Sequence, residues 1–241
     1  MNLYIVTGTT KGLGKSLADR IASDASNELI ALARAPDGPI PGGVRFHLDL
    51  GDAASIDRVF DRVEAHLKAK RYEKTVLINN AGIVSPVGPI DRVGAQDIER
   101  NLAVNLVAPL LLMRRFLLAT AGIKVRRVIN ISSGAGRRPI AGWGAYCAAK
   151  AGLDMASRVA AQEMAGKGVD IVSLAPGVID TPMQGIVRGA SKDDFPDVAR
   201  FQQMKANGEL RHADDVAAEI LRHERAGKLT GDAVLDLRTL S

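Results

Sequence analysis

Tyr146 and Lys150 stand four residues apart in the run Trp143-Gly144-Ala145-Tyr146-Cys147-Ala148-Ala149-Lys150, thirteen residues after Ser133. On a helix, positions i and i+4 share one face, so this spacing predicts an ammonium beside a phenol. A nearby cation favours phenolate and draws a tyrosine down from its free pKa of about 10 toward the working pH. A phenol tuned in that way passes a proton to a carbonyl oxygen. Tyr-x-x-x-Lys alone also arises by chance in many helices, so the weight of the pair comes from the rest of the chain.

Near the N-terminus an apolar run, residues 3–7, leads directly into Thr7-Gly8-Thr9-Thr10-Lys11-Gly12-Leu13-Gly14 and then a helical pattern. That context suits a phosphate-binding turn. Gly8 allows a tight turn, Gly12 a close approach of backbone to a pyrophosphate, and Gly14 close helix packing. The helix N-terminus supplies unpaired N–H groups and a positive dipole. Twenty residues after Gly14, where a chain that prefers NAD places a carboxylate on the ribose hydroxyl, this one has Arg34. A guanidinium forks onto a 2′-phosphate and offers no acceptor to a 2′-hydroxyl, so NADP(H) is the expected cofactor. Lys11 adds a second positive charge for the same phosphate. Either charge alone would equally be a solvated surface group.

The elements that must position these residues are legible in the apolar pattern. Strand-sized runs fall at residues 3–7, 29–33, 44–48, 75–79, 127–131, 169–175 and 233–237, and helix-sized segments at 14–25, 53–70, 95–120, 144–165 and 214–226. Strand-helix alternation predicts right-handed crossovers and a doubly wound α/β parallel sheet of about seven strands with helices on both faces. Residues 36–43, rich in Pro and Gly, read as a loop. Between residues 176 and 208 the strand rhythm lapses, and residues 182–208 are the expected substrate lid, since ligands bind beyond the carboxyl ends of such strands.

Composition narrows the function classes. With 241 residues, 46% hydrophobic and 24% charged, one globular domain spanning residues 1–241 with a large core is expected. The net charge of +5 is dispersed, and its local enrichments, residues 124–127 and Arg137-Arg138, lack the interleaved aromatics of a nucleic-acid platform. A mild pull toward anionic ligands is compatible with it. Cys147, the single cysteine, forms no internal disulfide and reads as a small packing residue. A reducing cytoplasm fits. Residues 102–113 are apolar but carry Asn105 and Pro109 and run into Arg114-Arg115, too short for a membrane span and suited to a buried helix. No metal, membrane or nucleic-acid partner is expected.

With these residues assembled, the sequence resembles the short-chain dehydrogenase/reductase family over essentially its full length. The matching motifs are residues 7–14, Asp49 after the third strand, Asn79-Asn80-Ala81-Gly82 after the fourth, Asn105, Ser133 after the fifth, Tyr146 with Lys150, and Pro176-Gly177 followed by Thr181. The resemblance implies a Rossmann-type fold and a cofactor cradle of Gly8, Thr10, Lys11, Gly12, Leu13, Gly14 and Arg34. It implies that Asp49, with Leu50 beside it, accepts from the adenine amino group, and that Asn80, Ala81 and Gly82 line the cofactor by the central strand. Thr181, with Pro176, Gly177 and Ile179, would hold the nicotinamide end. Lys150 would bind the nicotinamide ribose as well as tuning Tyr146, and Asn105 would anchor a water that refills the proton path. Ser133, by the family's spacing to the tyrosine, would donate to the substrate oxygen, with Ser132 the local alternative.

Each position also has a plainer role. Asp49 could begin a helix, as Asp52 or Ser55 might be placed to do. Asn79 and Asn80 are turn formers. Asn105 could be a satisfied buried amide, since an Asn among Leu and Val finds partners or costs a few kcal/mol.

A finer resemblance lies in residues 146–155 and 175–184, which look like the sepiapterin reductase and bacterial benzil reductase branch. That implies NADPH-dependent reduction of a ketone or 1,2-dicarbonyl small molecule by a homodimer or homotetramer. A dinucleotide-sensing protein without turnover is the alternative. Trp143 is either a wall for a flat substrate or packing at a helix start.

Overall fold

The computed structural model of the chain describes residues 1–230 and 233–240. Alternation along the strands divides the core into two layers. In β1 (Asn2–Thr7), Tyr4 and Val6 pack with one set of helices while Leu3 and Ile5 pack with the other. In β2 (Asn27–Ala33), Leu29 and Ala31 part from Ile30 and Leu32 in the same way. Strands buried on both faces read as continuous apolar runs.

The remaining strands are β3 (Gly38–Ile40), β4 (Gly43–His47), β5 (Lys74–Asn79), β6 (Val125–Ile131), β7 (Val169–Ala175) and β8 (Val234–Asp236). They form one sheet in the order β3-β4-β2-β1-β5-β6-β7-β8, in which only the β3–β4 pair is antiparallel. Among the described residues eight strands replace the about seven expected, because β3 lies within the segment read as a loop. It is three residues long and contains Pro39, whose missing N–H is tolerated at a sheet edge and leaves no apolar alternation to reveal the strand.

One face of the sheet is covered by α1 (Gly12–Ala22) and α8 (Ala213–Arg225), which bury Leu17, Ile21, Val216 and Ile220. The other face carries α2 (Ala53–Lys68) and α4 (Ala108–Ala119), with Phe60, Val63, Leu112 and Phe116, and α5 (Gly144–Glu163) with Ala160. Asp52, not Asp49, caps α2 by accepting from Ala54 N.

The helix expected over 95–120 is three pieces: α3 (Ala95–Leu102), a π-helical turn (Ala103–Val107) and α4. The break falls just before Pro109, which has no N–H to bond to the preceding turn. The whole run Ala95–Ala119 is 25 residues and contains an 18-residue stretch of mean hydropathy 1.7, long and apolar enough to span a bilayer by those measures alone. Here Leu112, Met113 and Phe116 of this run sit in the core, and Asn101 and Asn105 are fully buried.

Strand order reverses at β1, which sits between β2 and β5. Such a reversal opens a crevice beyond the carboxyl ends of the strands.

Candidate active site

A cleft of about 840 Å³ occupies that crevice. Its floor is the glycine turn between β1 and α1. Gly8 and Gly12 hold φ of +74° and +55°, a region in which a side chain is strained. A Cβ on Gly14 would lie 2.1 Å from the Gly8 carbonyl oxygen and 2.3 Å from Asn80 Nδ2, so the close packing expected there is real. Asn80 ties the turn to β5: its Nδ2 donates to Thr7 O at 3.0 Å, and the Thr7 hydroxyl accepts from the Asn80 and Ala81 amides. Gly14→Ala should therefore displace the turn, costing roughly 1–3 kcal/mol as overpacking and weakening dinucleotide affinity. Thermal denaturation and a cofactor titration of the variant check both.

The residues present fit a dinucleotide. No side chain caps the N-terminus of α1, which leaves its first N–H groups open to a phosphate. Arg34 and Lys11 are exposed on the rim of the cleft, and neither has a carboxylate partner among the described residues. Asp49 lines the cleft with Leu50, its carboxylate accepting from Gly51 N at 2.9 Å and lying 3.8 Å from Arg100 Nη2. Thr10, Leu13, Ala81, Gly82, Pro176, Gly177, Ile179 and Thr181 line the same cleft.

Ser133, Tyr146 and Lys150 line its far wall. The two serines part company. The Ser132 hydroxyl donates to buried Asp154 at 2.5 Å, whereas the Ser133 hydroxyl accepts from Ala135 N at 3.2 Å, and Ser133 lines the cleft with Tyr146. Tyr146 and Lys150 do share a helix face, with the Lys150 amine 5.7 Å from the phenol ring centroid. The electrostatic outcome differs from the expectation. Burial pushes the Tyr146 phenol up to about 12, with the neighbouring Ser133 hydroxyl acting in the opposite direction. Burial also draws the Lys150 amine down to about 8, with Asp154 opposing. Both groups sit where water is excluded, so desolvation penalises both charged forms. The amine donates to Ile131 O at 2.8 Å rather than to the phenol.

Asn105 is the one candidate behind the wall rather than on it. Its Nδ2 donates to Ile83 O at 2.7 Å and to Asn101 Oδ1 at 2.9 Å, and its Oδ1 accepts from Ile83 N at 3.0 Å. Asn101 continues the ladder to Ser85 O at 2.7 Å. The π-helical turn thus carries an amide that holds residues 83–85 in place. A Cβ on Gly82 would lie 2.8 Å from Asn105 Oδ1 and 3.9 Å from Lys150 Nζ, so these three residues converge.

The expected lid is two helices, α6 (Pro182–Arg188) and α7 (Val198–Ala206). Val187, Phe195 and Phe201 pack onto Trp143, which stacks on Phe195 at 5.0 Å and meets Tyr146 edge-on at 5.6 Å. Trp143 is therefore both wall and packing. Arg238 and Arg100 also line the cleft and were not singled out in the sequence, whereas Gln184 lines it from the segment expected as the lid. Arg238 follows the last strand, where the carboxyl-end rule would have pointed.

Residues 2–191 match the short chain dehydrogenase family. The chain is 38% identical to a benzil reductase ((S)-benzoin forming) of Bacillus cereus over 231 residues, covering 91% of this chain and 92% of the relative. It is 32% identical to the sepiapterin reductase of Meriones unguiculatus, covering 90% and 88%. A solved structure assigned as an NAD(P)-dependent gluconate 5-dehydrogenase from Beutenbergia cavernae, with NADP bound at low occupancy, superposes with a TM-score of 0.77 at 25% identity, covering 98% and 94%. The glycine cradle, the nucleotide-sized cleft and these likenesses agree: the chain belongs to the short chain dehydrogenase family of nicotinamide-dependent oxidoreductases.

Proposed function

We propose that the protein is a cytoplasmic NADPH-dependent carbonyl reductase acting on a ketone or on one carbonyl of a 1,2-dicarbonyl. The observation that carries the reading is the wall of the cleft, where a buried phenol shares a helix face with Lys150 and lines, with Ser133, the same space as the glycine turn. Arg34, exposed and without a carboxylate partner among the described residues, supports NADPH over NADH. The likeness to benzil and sepiapterin reductases supports the substrate class.

The bound cofactor supplies hydride. Tyr146 and Ser133 contribute two donors to the carbonyl oxygen, where negative charge builds in the transition state, so they bind that state more tightly than the ketone. With its pKa near 12, Tyr146 holds its proton at every working pH and delivers it as the oxygen becomes basic. Lys150 keeps positive charge in the water-poor wall, and Asn105 fixes the loop beside it. Thr7 and Asn80 hold the turn that receives the phosphates.

Reduction of benzil or another 1,2-diketone, followed as NADPH oxidation, tests the proposal. No turnover across a broad carbonyl panel, with the cofactor still bound, would favour the sensing alternative. The pH profile has a definite sign. As pH rises through about 8 the Lys150 amine loses its proton and its charge, so kcat/KM for reduction should be level below that pH and fall above it. Stopped assays between about pH 6 and 10 check this, and a profile that rises through 8 contradicts it.

The proposal includes association into a homodimer or homotetramer. Val107 and Leu118 around α4, and Met155 and Val159 on α5, are exposed apolar side chains on two long helices, which supports pairing through them. Light scattering of the purified protein reads the state.

A further inference from the structure

Two polar atoms on the substrate side of the cleft are buried with nothing to bind. Trp143 Nε1 and Gln184 Oε1 have no hydrogen-bond partner among the described residues. Their residues are 6% and 9% exposed, and both line the cleft. A buried donor or acceptor left unmet costs about 1–3 kcal/mol, so such groups are rare and call for a reason. Here one is a donor and the other an acceptor, and the cleft that both residues line has apolar walls from Val84, Ile140, Val187 and Phe201.

Both are held by elements that also position the candidate chemistry. Trp143 begins α5, and Tyr146 follows within one turn. Its ring is clamped by Phe195 at 5.0 Å and Phe201 at 5.6 Å, so the direction of its N–H is set by packing. Gln184 lies on α6, the helix that Thr181 opens. The indole ring is 5.6 Å from the Tyr146 ring. The indole thus adjoins the phenol, and one small ligand can present an oxygen to each.

We infer that Trp143 and Gln184 form the subsite for a second, uncharged oxygen next to the reacting carbonyl. Trp143 donates to that oxygen. The carboxamide accepts from it where it is a hydroxyl or, turned half a revolution about its last bond, donates to it where it is a carbonyl. The ligand class is a neutral 1,2-dicarbonyl or the hydroxyketone derived from it, and the pair decides which oxygen meets Tyr146. A site built around such a hydrogen bond rejects the analogue that lacks it, because its own buried groups then stay unpaired.

The inference rests on the carbonyl-reductase reading, and one experiment separates the two. Benzil and deoxybenzoin differ by the second carbonyl. Trp143→Phe keeps an aromatic stack and deletes the N–H, while Gln184→Leu deletes the carboxamide at similar volume. In each variant the benzil-to-deoxybenzoin ratio of kcat/KM should fall about tenfold, equivalent to about 1.4 kcal/mol. Trp143 is the chain's single tryptophan, so its quenching gives dissociation constants for both ligands in the wild type and in Gln184→Leu. The ratio of those constants should shift by the same factor. Ratios unchanged in both variants overturn the subsite and leave the reductase standing. A wild-type protein that reduces neither compound overturns the reductase reading and the subsite with it.

Discussion

Replacing Tyr146 with Phe is expected to lower kcat by about 10²–10⁴-fold, the usual contribution of a positioned general acid. The loss should fall on kcat and kcat/KM together, since the proton moves only in the transition state. Cofactor affinity and melting temperature should barely change, because the ring keeps its edge-on contact with Trp143 and its burial. Single-turnover kinetics with a 1,2-diketone, beside a cofactor titration, measure all three. Wild-type turnover by the variant on an accepted substrate would remove Tyr146 from the mechanism. The high pKa does not weaken this expectation. A phenol near 12 is a poor acid toward water but an adequate one toward an oxygen on its way to alkoxide, and Ser133 shares the developing charge.

The second large effect belongs to the other end of the cleft. Arg34→Asp should weaken NADPH by about 10²-fold and NADH by no more than about threefold, because a forked charge-assisted pair is exchanged for repulsion only where a 2′-phosphate is present. Lys11 would retain part of the attraction. Since Arg34 is exposed, the difference should shrink as ionic strength rises through the range where the Debye length falls below about 10 Å. Titrations of both cofactors at low and high salt read it. Equal losses for the two would mean that Arg34 does not recognise the phosphate.

Much of the site was legible because its requirements are local. A glycine that must accept a Cβ-free contact, as Gly14 does against Gly8, is written as a glycine at fixed spacing from its strand. Two residues on one helix face are written as i and i+4. The two-layer core follows from alternation in β1 and β2, and the helices from their own period. By contrast β3 has three residues and a proline, too little pattern to stand out. The π-helical turn depends on how Asn101 and Asn105 are gripped by residues 83–85, a segment distant in the chain. Asn80, expected to line the cofactor, lines the cleft and also holds the turn, because Thr7 offers it a carbonyl across the sheet.

Taken alone, the amino-acid order determined the alternation that makes a doubly wound sheet, the placing of the phosphate turn on its first crossover, and the helical proximity of Tyr146 and Lys150. Only the folded chain decided what that proximity does. The shift of Tyr146 and Lys150 toward their neutral forms comes from water excluded by residues brought in from many segments, and the amine points to Ile131 because β6 passes beneath it. The engagement of Ser132 by Asp154, twenty-two residues away in the chain, supports Ser133 as the proposed donor to the substrate oxygen. The unmatched indole N–H and carboxamide oxygen likewise exist only in the fold, where Val187 of α6 joins Trp143 and Tyr146 in one apolar cluster. Spacing along a chain fixes which groups can be neighbours, whereas solvation and hydrogen-bond direction depend on everything else that packs around them.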